Sequence, residues 1–201
     1  PGRYFSYSNL NFGLLAAIIE RMSNQRFDLF LVNRIFAPLD LEADFNPCNL
    51  SRPQLATTYR KKNAAGSWNV DGPWQPQVDG EKISCFYGMS EGTDGAKFLE
   101  KYQLGSNPTL FSPQGGLRAS ASDLSSLLRL LANGGALDGK KILNRSSVET
   151  LLSPAWRLNA AGDNGRTSGE IQPGGSRDGL MTSYGLSIHR IDMRAWGFTN
   201  G

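Results

Sequence analysis

The residue types best suited to chemistry lie near the start of the chain, where tyrosine, serine and asparagine occupy positions 7–9. A phenol whose pKa is lowered by neighbouring lysines can carry a proton to and from a serine nucleophile. An asparagine two residues later offers a donor and an acceptor that suit an amide in a substrate. In a turn that leads into a helix, Tyr7 and Asn9 can point into the same cleft. The tripeptide alone is common, and a tyrosine before a helix more often packs than catalyses.

A second pattern, Gly-Met-Ser-Glu-Gly at positions 88–92, fits the nucleophile elbow of α/β-hydrolases. It would make Ser90 the nucleophile, with Asp138 or Asp163 and then His189 in the expected order. The elbow needs a strong helix directly after the serine, and Glu-Gly-Thr-Asp-Gly begins one badly. Ser90 is therefore the alternative nucleophile. If Ser90 is not a nucleophile, it lies in a solvent-exposed loop, and His189 is a sheet residue that faces water.

Helical periodicity places the tripeptide before the strongest element of the chain. Apolar residues recur at helical spacing over residues 9–24 and predict one apolar stripe; its members are Leu10, Leu14, Leu15, Ile18, Ile19 and Met22. A second helix over residues 27–36, stopped by Pro38, would complete a helical hairpin. A third is predicted over 121–133, with a capping box of Ser120 and Asp123 and an end at Gly134-Gly135. A short fourth begins at Ser146 and ends near Pro154.

Between and after these helices the pattern is irregular. Residues 40–109 are rich in proline and glycine, and only short strand-like runs survive at 56–60 and 83–89. Residues 159–179 read as an exposed loop, and residues 184–193 alternate as a half-buried strand would. Because strands and helices do not alternate, a doubly wound parallel sheet is not expected.

The composition is that of a globular protein, with 39% hydrophobic and 19% charged residues and a net charge of +3. Its cations are scattered, so nucleic acid is a poor partner, and no apolar run is long enough for a membrane span. Cys48 and Cys85 could pair or remain buried thiols, the second being commoner for so low a count. With a single histidine and no Cys-x-x-Cys, no metal site is predicted.

Two blocks of sequence resemble the class C β-lactamase/DD-peptidase/esterase family. In the first, Pro-Gly at 1–2 precedes Tyr-x-Asn at 7–9, a helix ending in Ile-Ile-Glu at 18–20 and a Pro-Leu turn at 38–39. In the second, Ser-Pro-Gln-Gly-Gly-Leu-Arg-Ala-Ser at 112–120 looks like the Gly-Gly loop and helix that border the family's substrate cleft. The blocks have the family's order and are about a hundred residues apart.

The resemblance implies a serine hydrolase that acts on a β-lactam, peptide or ester through an acyl-serine intermediate, without a metal or organic cofactor. A serine in Ser-x-x-Lys would attack the carbonyl, and an oxyanion hole would hold the charge that develops. Carried over by position, Tyr7 is the proton shuttle, Asn9 contacts the small-molecule or peptide acyl substrate, and Gln114 and Gly115 line the cleft.

The chain also departs from the family, because no serine has a lysine three residues later and neither Lys-Thr-Gly nor His-x-Gly is present. These motifs would fall beyond its two ends, so an internal fragment, inactive alone, is expected. A lobe that binds acyl ligands without cutting them is the other interpretation.

The expected fold is α+β: the helical lobe of the serine β-lactamase/penicillin-binding-protein-like fold with a partial antiparallel sheet. The 201 residues form one incomplete domain, divided into a helical hairpin at 1–39, a loop-rich excursion at 40–110, the Gly-Gly loop and helices at 111–158, and a loop and strand at 159–201. Self-association through the unfinished sheet edge is expected. The resemblance places the protein in the periplasm or outside the cell.

Overall fold

The computed structural model describes residues 3–51, 53, 55–79, 83, 85–86, 95–166, 183–190 and 197–199. The chain divides into two compact units, one formed by Pro1–Asn9 with Ser126–Gly201 and the other by Leu10–Ser125. Each unit is described by itself. The division into one incomplete domain stays a prediction.

Helices and short strands follow one another in no regular order along the described part of the chain. Its α-helices are α1 (Leu10–Ser23), α2 (Phe27–Leu31), α3 (Gly95–Glu100), α4 (Ala121–Ala132) and α5 (Arg145–Leu152). Its strands are β1 (Phe5–Ser6), β2 (Thr58–Lys61), β3 (Trp74–Val78), β4 (Ala136–Leu137), β5 (Lys140–Lys141), β6 (Trp156–Arg157), β7 (Gly165–Arg166), β8 (Ser183–Tyr184) and β9 (His189–Arg190).

The strands form four small sheets. β2 pairs with β3, β4 with β5, and β8 with both β6 and β9, all antiparallel, whereas β1 pairs with β7 in parallel. This mixture of helices and small, mostly antiparallel sheets confirms the predicted α+β class. In the part of the chain that the structure describes, no helix has both the length and the apolar character needed to cross a membrane.

Helix α1 confirms the predicted helix but buries a different face from the one that the apolar stripe indicates. Its buried residues are Gly13, Ala16 and Glu20, spaced as one face of a helix. Small side chains there let the 3₁₀ turn Pro108–Phe111 approach closely, since a Cβ on Gly13 would lie 2.8 Å from Thr109 Cγ2. The stripe lies outward within its unit: Leu10, Leu14, Leu15, Ile18 and Met22 are 50% to 83% exposed.

The second predicted helix is present but changes its winding. The α-helical part ends at Leu31, a π-helical turn continues over Val32–Phe36, and a 3₁₀ turn at Ala37–Leu39 contains the proline. Asp40 then adopts a left-handed conformation with φ of 56° and ends the helical run.

Phenylalanines form the core beneath this hairpin. The ring centroid of Phe45 lies 5.0 Å from that of Phe27 and 6.4 Å from that of Phe36. All three side chains are buried. Aromatic pairs at such distances add to the stabilisation that burial of their area already supplies.

The capping signals predicted for α4 are confirmed. The amide of Asp123 donates to Ser120 Oγ at 3.0 Å, and Asp123 Oδ2 accepts from the amide of Ser120 at 3.2 Å. At the other end Gly134 and Gly135 have φ of 69° and 95°, and the amide of Gly135 donates to Leu130 O. Positive φ at both positions is why glycine suits the end of this helix.

The single strand predicted for residues 184–193 is wrong in the described part, which is a hairpin of β8 and β9. The amide of Gly185 donates to Ile188 O at 2.8 Å, and Ser187 has a φ of 64°, so the chain reverses at 185–188. Residues 191–193 lie outside the described residues.

A disulfide joins Cys48 to Cys85, with Cα atoms 5.3 Å apart. The interpretation that favoured buried thiols is therefore wrong. The spacing of 37 residues gives no local signal, because pairing depends on where the fold brings the two Cβ atoms.

Candidate active site

The predicted proton shuttle follows a strand that aromatic packing holds in place. β1 pairs Phe5 with Gly165, and the Phe5 ring lies 5.1 Å from the ring of Trp156 and 4.6 Å from that of Tyr184. Trp156 Nε1 donates to Asn164 O at 3.0 Å, and the amide of Phe5 donates to the same oxygen. Phe5 thereby anchors the backbone two residues before Tyr7.

Gly165 lies where β1, β7 and Trp156 meet, and this position has no room for a side chain. A Cβ on Gly165 would lie 2.7 Å from Trp156 Cζ2 and 3.0 Å from Phe5 Cβ. A side chain at this position would push the indole off the Phe5 ring or open the β1–β7 ladder. The parallel pair that carries Tyr7 therefore depends on the absence of a side chain at Gly165.

Tyr7 lies close enough to Tyr184 for the two phenols to interact electrostatically. Burial raises the pKa of Tyr184, the charge of Tyr7 raises it further, and a hydrogen bond from Ser187 lowers it. The two phenols therefore lie in the same part of this unit. Tyr7 is partly exposed, so solvent or a ligand can reach its ring.

Asn9 is exposed and lies directly before the first residue of α1. It belongs with Tyr7 to the unit formed by Pro1–Asn9 and Ser126–Gly201. The structure therefore places the predicted proton shuttle and the predicted substrate contact in one turn, two residues apart.

Gln114 and Gly115 lie in a tight loop after the 3₁₀ turn Pro108–Phe111. Ser112 has a left-handed φ of 49°, and its carbonyl accepts hydrogen bonds from the amides of Gly115 at 3.1 Å and Gly116 at 2.7 Å. Gln114 Nε2 donates to Ser112 Oγ at 3.2 Å. The predicted cleft residues are thus fixed by a single serine.

The two glycines of this loop have different roles. A Cβ on Gly116 would lie 2.6 Å from Ser112 Cβ and 2.8 Å from Ser112 O, so the turn closes only without a side chain. A Cβ on Gly115 would meet nothing within 4 Å. The space above Gly115 is therefore open, and its role in a cleft wall stays a prediction.

Arg118 stabilises the loop at residues 112–116, a role that the sequence analysis did not predict. Its Nη1 donates to Gly116 O at 2.6 Å, while Nε and Nη2 donate to the two carboxylate oxygens of Asp79 at 2.9 and 3.0 Å. Its backbone exchanges hydrogen bonds of 2.9 and 3.1 Å with Asp44. The paired guanidinium and carboxylate are largely shielded from solvent, which strengthens such a bidentate pair.

An aromatic cluster lies beneath the loop. The buried Phe111 ring meets the rings of Phe86 at 5.7 Å and Tyr102 at 5.3 Å edge-on, and the Arg26 guanidinium lies 5.1 Å from its centroid. Arg26 also binds Asp28 through two hydrogen bonds of 2.8 Å. Phe86 follows Cys85, so the disulfide lies next to this cluster in the chain.

Glu20, at the end of the matched Ile-Ile-Glu, is a fully buried carboxylate that joins three segments. Oε1 accepts from the amide of Phe27 at 2.9 Å, and Oε2 accepts from Tyr102 Oη at 2.8 Å and from the amide of Gly105 at 2.6 Å. Burial and then the hydrogen bond to Glu20 raise the pKa of Tyr102. Three donors compensate for the buried charge, so the role of Glu20 is to position α1.

The structure brings the candidate residues together as two pairs. Tyr7 and Asn9 lie in one unit, and Gln114 and Gly115 lie in the other. Ser90 lies outside the described residues, and His189 is an exposed strand residue. No group of three or more His, Cys, Asp or Glu among the described residues could hold a metal ion.

Comparison with known proteins assigns the chain to a family. The family model described as Beta-lactamase matches residues 1–200, which is nearly the whole chain and includes both candidate pairs. No curated protein matches the chain. The match confirms the resemblance that the Tyr-x-Asn turn and the Gly-Gly loop indicate, and with it the β-lactamase-like character of the α+β fold. The chain belongs to the Beta-lactamase family.

Proposed function

We propose that the parent protein is a serine hydrolase that cleaves a β-lactam, peptide or ester through an acyl-serine intermediate. The observation that carries the proposal is the Tyr-x-Asn turn at residues 7–9, anchored by Phe5, in a chain that the family model matches almost throughout. In this chemistry a serine attacks the carbonyl, proton carriers serve the nucleophile and leaving group, and an oxyanion hole stabilises the tetrahedral intermediate.

The residues of this chain have distinct roles in the proposal. Tyr7 carries the proton between the serine and the leaving group, and its exposed ring supports that role. Tyr184 lies near Tyr7, and burial, followed by the charge of Tyr7, raises the pKa of Tyr184. Asn9 contacts the amide or ester of the substrate. Gln114 and the open face of Gly115 line the cleft.

The nucleophile is not among these residues. None of the serines in the 201 residues is followed by lysine three positions later. We therefore propose that the chain alone does not turn over substrate, because proton transfer without a nucleophile leaves only weak rate effects. Acyl-serine chemistry needs no metal or organic cofactor.

The periplasm or the extracellular space is the proposed location. The Cys48–Cys85 disulfide supports this proposal, because structural disulfides persist mainly in oxidising compartments. Self-association also remains part of the proposal. The outward apolar face of α1 supports it.

The test begins with the coding sequence that flanks this segment in its source. The proposal predicts a Ser-x-x-Lys upstream and a Lys-Thr-Gly or His-x-Gly downstream. In the protein that carries them, Tyr7→Phe should lower kcat/KM by about 10²- to 10⁴-fold and alter the pH–rate profile. Tyr4→Phe is the control, because Tyr4 is an exposed tyrosine three residues earlier.

Other results would select the alternatives. A start codon at Pro1 with a stop codon after Gly201 would contradict the hydrolase and favour a protein that binds acyl ligands without cutting them. Hydrolysis that Ser90→Ala abolishes would favour the α/β-hydrolase mechanism.

A further inference from the structure

The hairpin of β2 and β3 carries an unusual concentration of exposed aromatic side chains. We call residues 58–76 the aromatic ribbon. Tyr59, Trp68, Val70 and Trp74 lie on it and are 56% to 64% exposed. Burial of apolar and aromatic area is strongly favourable, so three exposed aromatic rings and a valine in one short segment indicate a surface that meets a partner.

Each tryptophan of the aromatic ribbon has a cation over its ring. The Arg60 guanidinium lies 5.4 Å from the centroid of Trp68, and Lys61 Nζ lies 5.4 Å from that of Trp74. Arg60 and Lys61 are neighbours in β2, so their side chains point to opposite faces of the ribbon. Each face of the ribbon therefore presents one indole and one cation, near the end of the hairpin where the connection joins β2 to β3.

Positive charge predominates on the aromatic ribbon. Arg60, Lys61 and Lys62 follow one another, and Asp71 is the carboxylate within residues 58–76. Asp79, just beyond β3, is held in the ion pair with Arg118, so its charge is already compensated. The ribbon thus combines exposed indoles with an excess of cations.

Hydrogen bonds hold the connection between the two strands in one conformation. The amide of Lys62 donates to Pro73 O at 3.1 Å, that of Asn69 to Lys61 O at 3.2 Å, and Lys61 Nζ donates to Val70 O at 2.9 Å. A Cβ on Gly72 would lie 2.3 Å from Lys62 O, so the chain crosses itself closely there. A preformed connection loses little conformational entropy when it binds.

We propose that the end of the aromatic ribbon where the connection joins β2 to β3 enters an anionic phospholipid surface, so that the indole and the cation on each of its faces meet lipid headgroups. Indole and phenol rings are favoured at the headgroup level, where an apolar body and a polar edge are both accommodated. Cations at the same depth bind lipid phosphates, each contributing about 1 kcal/mol near an anionic leaflet. The binding is peripheral and reversible, and it is independent of the proposed hydrolase chemistry.

A lipid surface fits the aromatic ribbon better than a polysaccharide does. Sugars stack on open aromatic faces, whereas one face of each tryptophan is covered by its cation. Polar side chains beside the rings are also engaged, because Asn63 Oδ1 accepts from the amide of Ser67 and Asn69 Oδ1 accepts from that of Asp71. They are poorly available to orient sugar hydroxyls.

The test is sedimentation of the full chain with vesicles of phosphatidylcholine, alone or with about a third phosphatidylglycerol, an anionic lipid. The proposal predicts binding to the anionic vesicles, loss of binding at high salt and a blue shift of tryptophan fluorescence. Trp68→Ala/Trp74→Ala and Arg60→Gln/Lys62→Gln should each lower the partition coefficient at least about tenfold. Val70→Asp provides a third variant at an exposed position, and circular dichroism checks that each variant is folded.

The control is Lys141→Gln/Arg157→Gln, which removes the same charges from exposed positions in the other unit. It should bind within about twofold of the wild type, because cations act locally at a membrane surface. Equal loss in the control and the ribbon variants would overturn the proposal. So would absence of binding to anionic vesicles. Binding to insoluble peptidoglycan alone, abolished by Trp68→Ala/Trp74→Ala, would replace the lipid with a glycan.

Discussion

Arg118 and Asp79, 39 residues apart in sequence, form a bidentate ion pair with hydrogen bonds of 2.9 and 3.0 Å. The same guanidinium donates to Gly116 O, so the pair connects the end of β3 to the loop that carries Gln114 and Gly115. Asp79 has a left-handed φ of 55°, which non-glycine residues adopt only where their surroundings favour it. The ion pair therefore helps Ser112 to hold the loop that carries Gln114 and Gly115.

Arg118→Ala should reduce the free energy of unfolding by about 1–3 kcal/mol, because it leaves a shielded carboxylate without its partner. The matched control is Arg129→Ala, which removes an exposed 3.6 Å pair with Asp138 and should cost no more than about 0.5 kcal/mol. Urea denaturation measures both. Equal losses in the two variants would show that the ion pair does not stabilise the loop.

Gly116→Ala and Gly115→Ala test the shape of the loop. The first introduces a Cβ at 2.6 Å from Ser112 Cβ, and it should destabilise the protein by about 1–3 kcal/mol. The second places its Cβ in open space, and it should change stability by less than about 0.5 kcal/mol. Thermal melts of the two variants compare them directly, and the opposite order would contradict the assigned geometry.

Alkaline unfolding should depend on Tyr102. Burial and the hydrogen bond to Glu20 raise its pKa in the folded protein above the ordinary value of 10.0, so the unfolded chain loses this proton first as the pH rises. Stability from this group is complete below pH 10.0 and decreases above it. Tyr102→Phe should therefore show a shallower loss of stability above this pH, measured by denaturant titration at several pH values. Tyr184 shifts in the same direction, so part of the slope remains. Identical slopes in wild type and variant would refute the raised pKa of Tyr102, which burial and then the hydrogen bond to Glu20 produce.

Removal of the Cys48–Cys85 disulfide should destabilise the unit formed by Leu10–Ser125. Cys48→Ser/Cys85→Ser opens a loop of 37 residues and should cost about 2–4 kcal/mol of stability. Dithiothreitol should lower the Tm of the wild type to a similar extent and leave that of the double variant unchanged. If the reductant lowered both equally, its effect would not come from this disulfide.

Periodicity and capping residues were sufficient to predict α1, α2, α4 and α5, because these signals are local, whereas α3 lies in the segment that was predicted to be loop-rich. The Ser120–Asp123 box and the glycines after α4 specify their helix within a few residues of its ends. The burial of α1 could not be predicted in the same way. Its apolar stripe is the wider and more hydrophobic face. The buried face is instead the one with Gly13 and Ala16, because these small residues let the 3₁₀ turn Pro108–Phe111 approach the helix closely.

The candidate residues were likewise predictable from local sequence, whereas the contacts that support them were not. Tyr7, Asn9, Gln114 and Gly115 lie in short motifs that can be read from the sequence. Their supports join distant segments: Glu20 with Tyr102 across 82 residues, and Asp79 with Arg118 across 39. No local pattern indicates such pairs, nor does one indicate that Phe5 meets both Trp156 and Tyr184.

The most direct test of the central claim is intact-mass spectrometry of the chain after exposure to a fluorescent penicillin and to a fluorophosphonate. We propose that Tyr7 and the Gly-Gly loop serve acyl-serine chemistry whose nucleophile is not among these 201 residues. This proposal predicts an unchanged mass with both reagents, for the wild type and for Ser90→Ala alike, while a serine hydrolase treated in parallel is labelled. A stoichiometric adduct on any serine of the chain would contradict it, and one lost in Ser90→Ala would assign the nucleophile to Ser90.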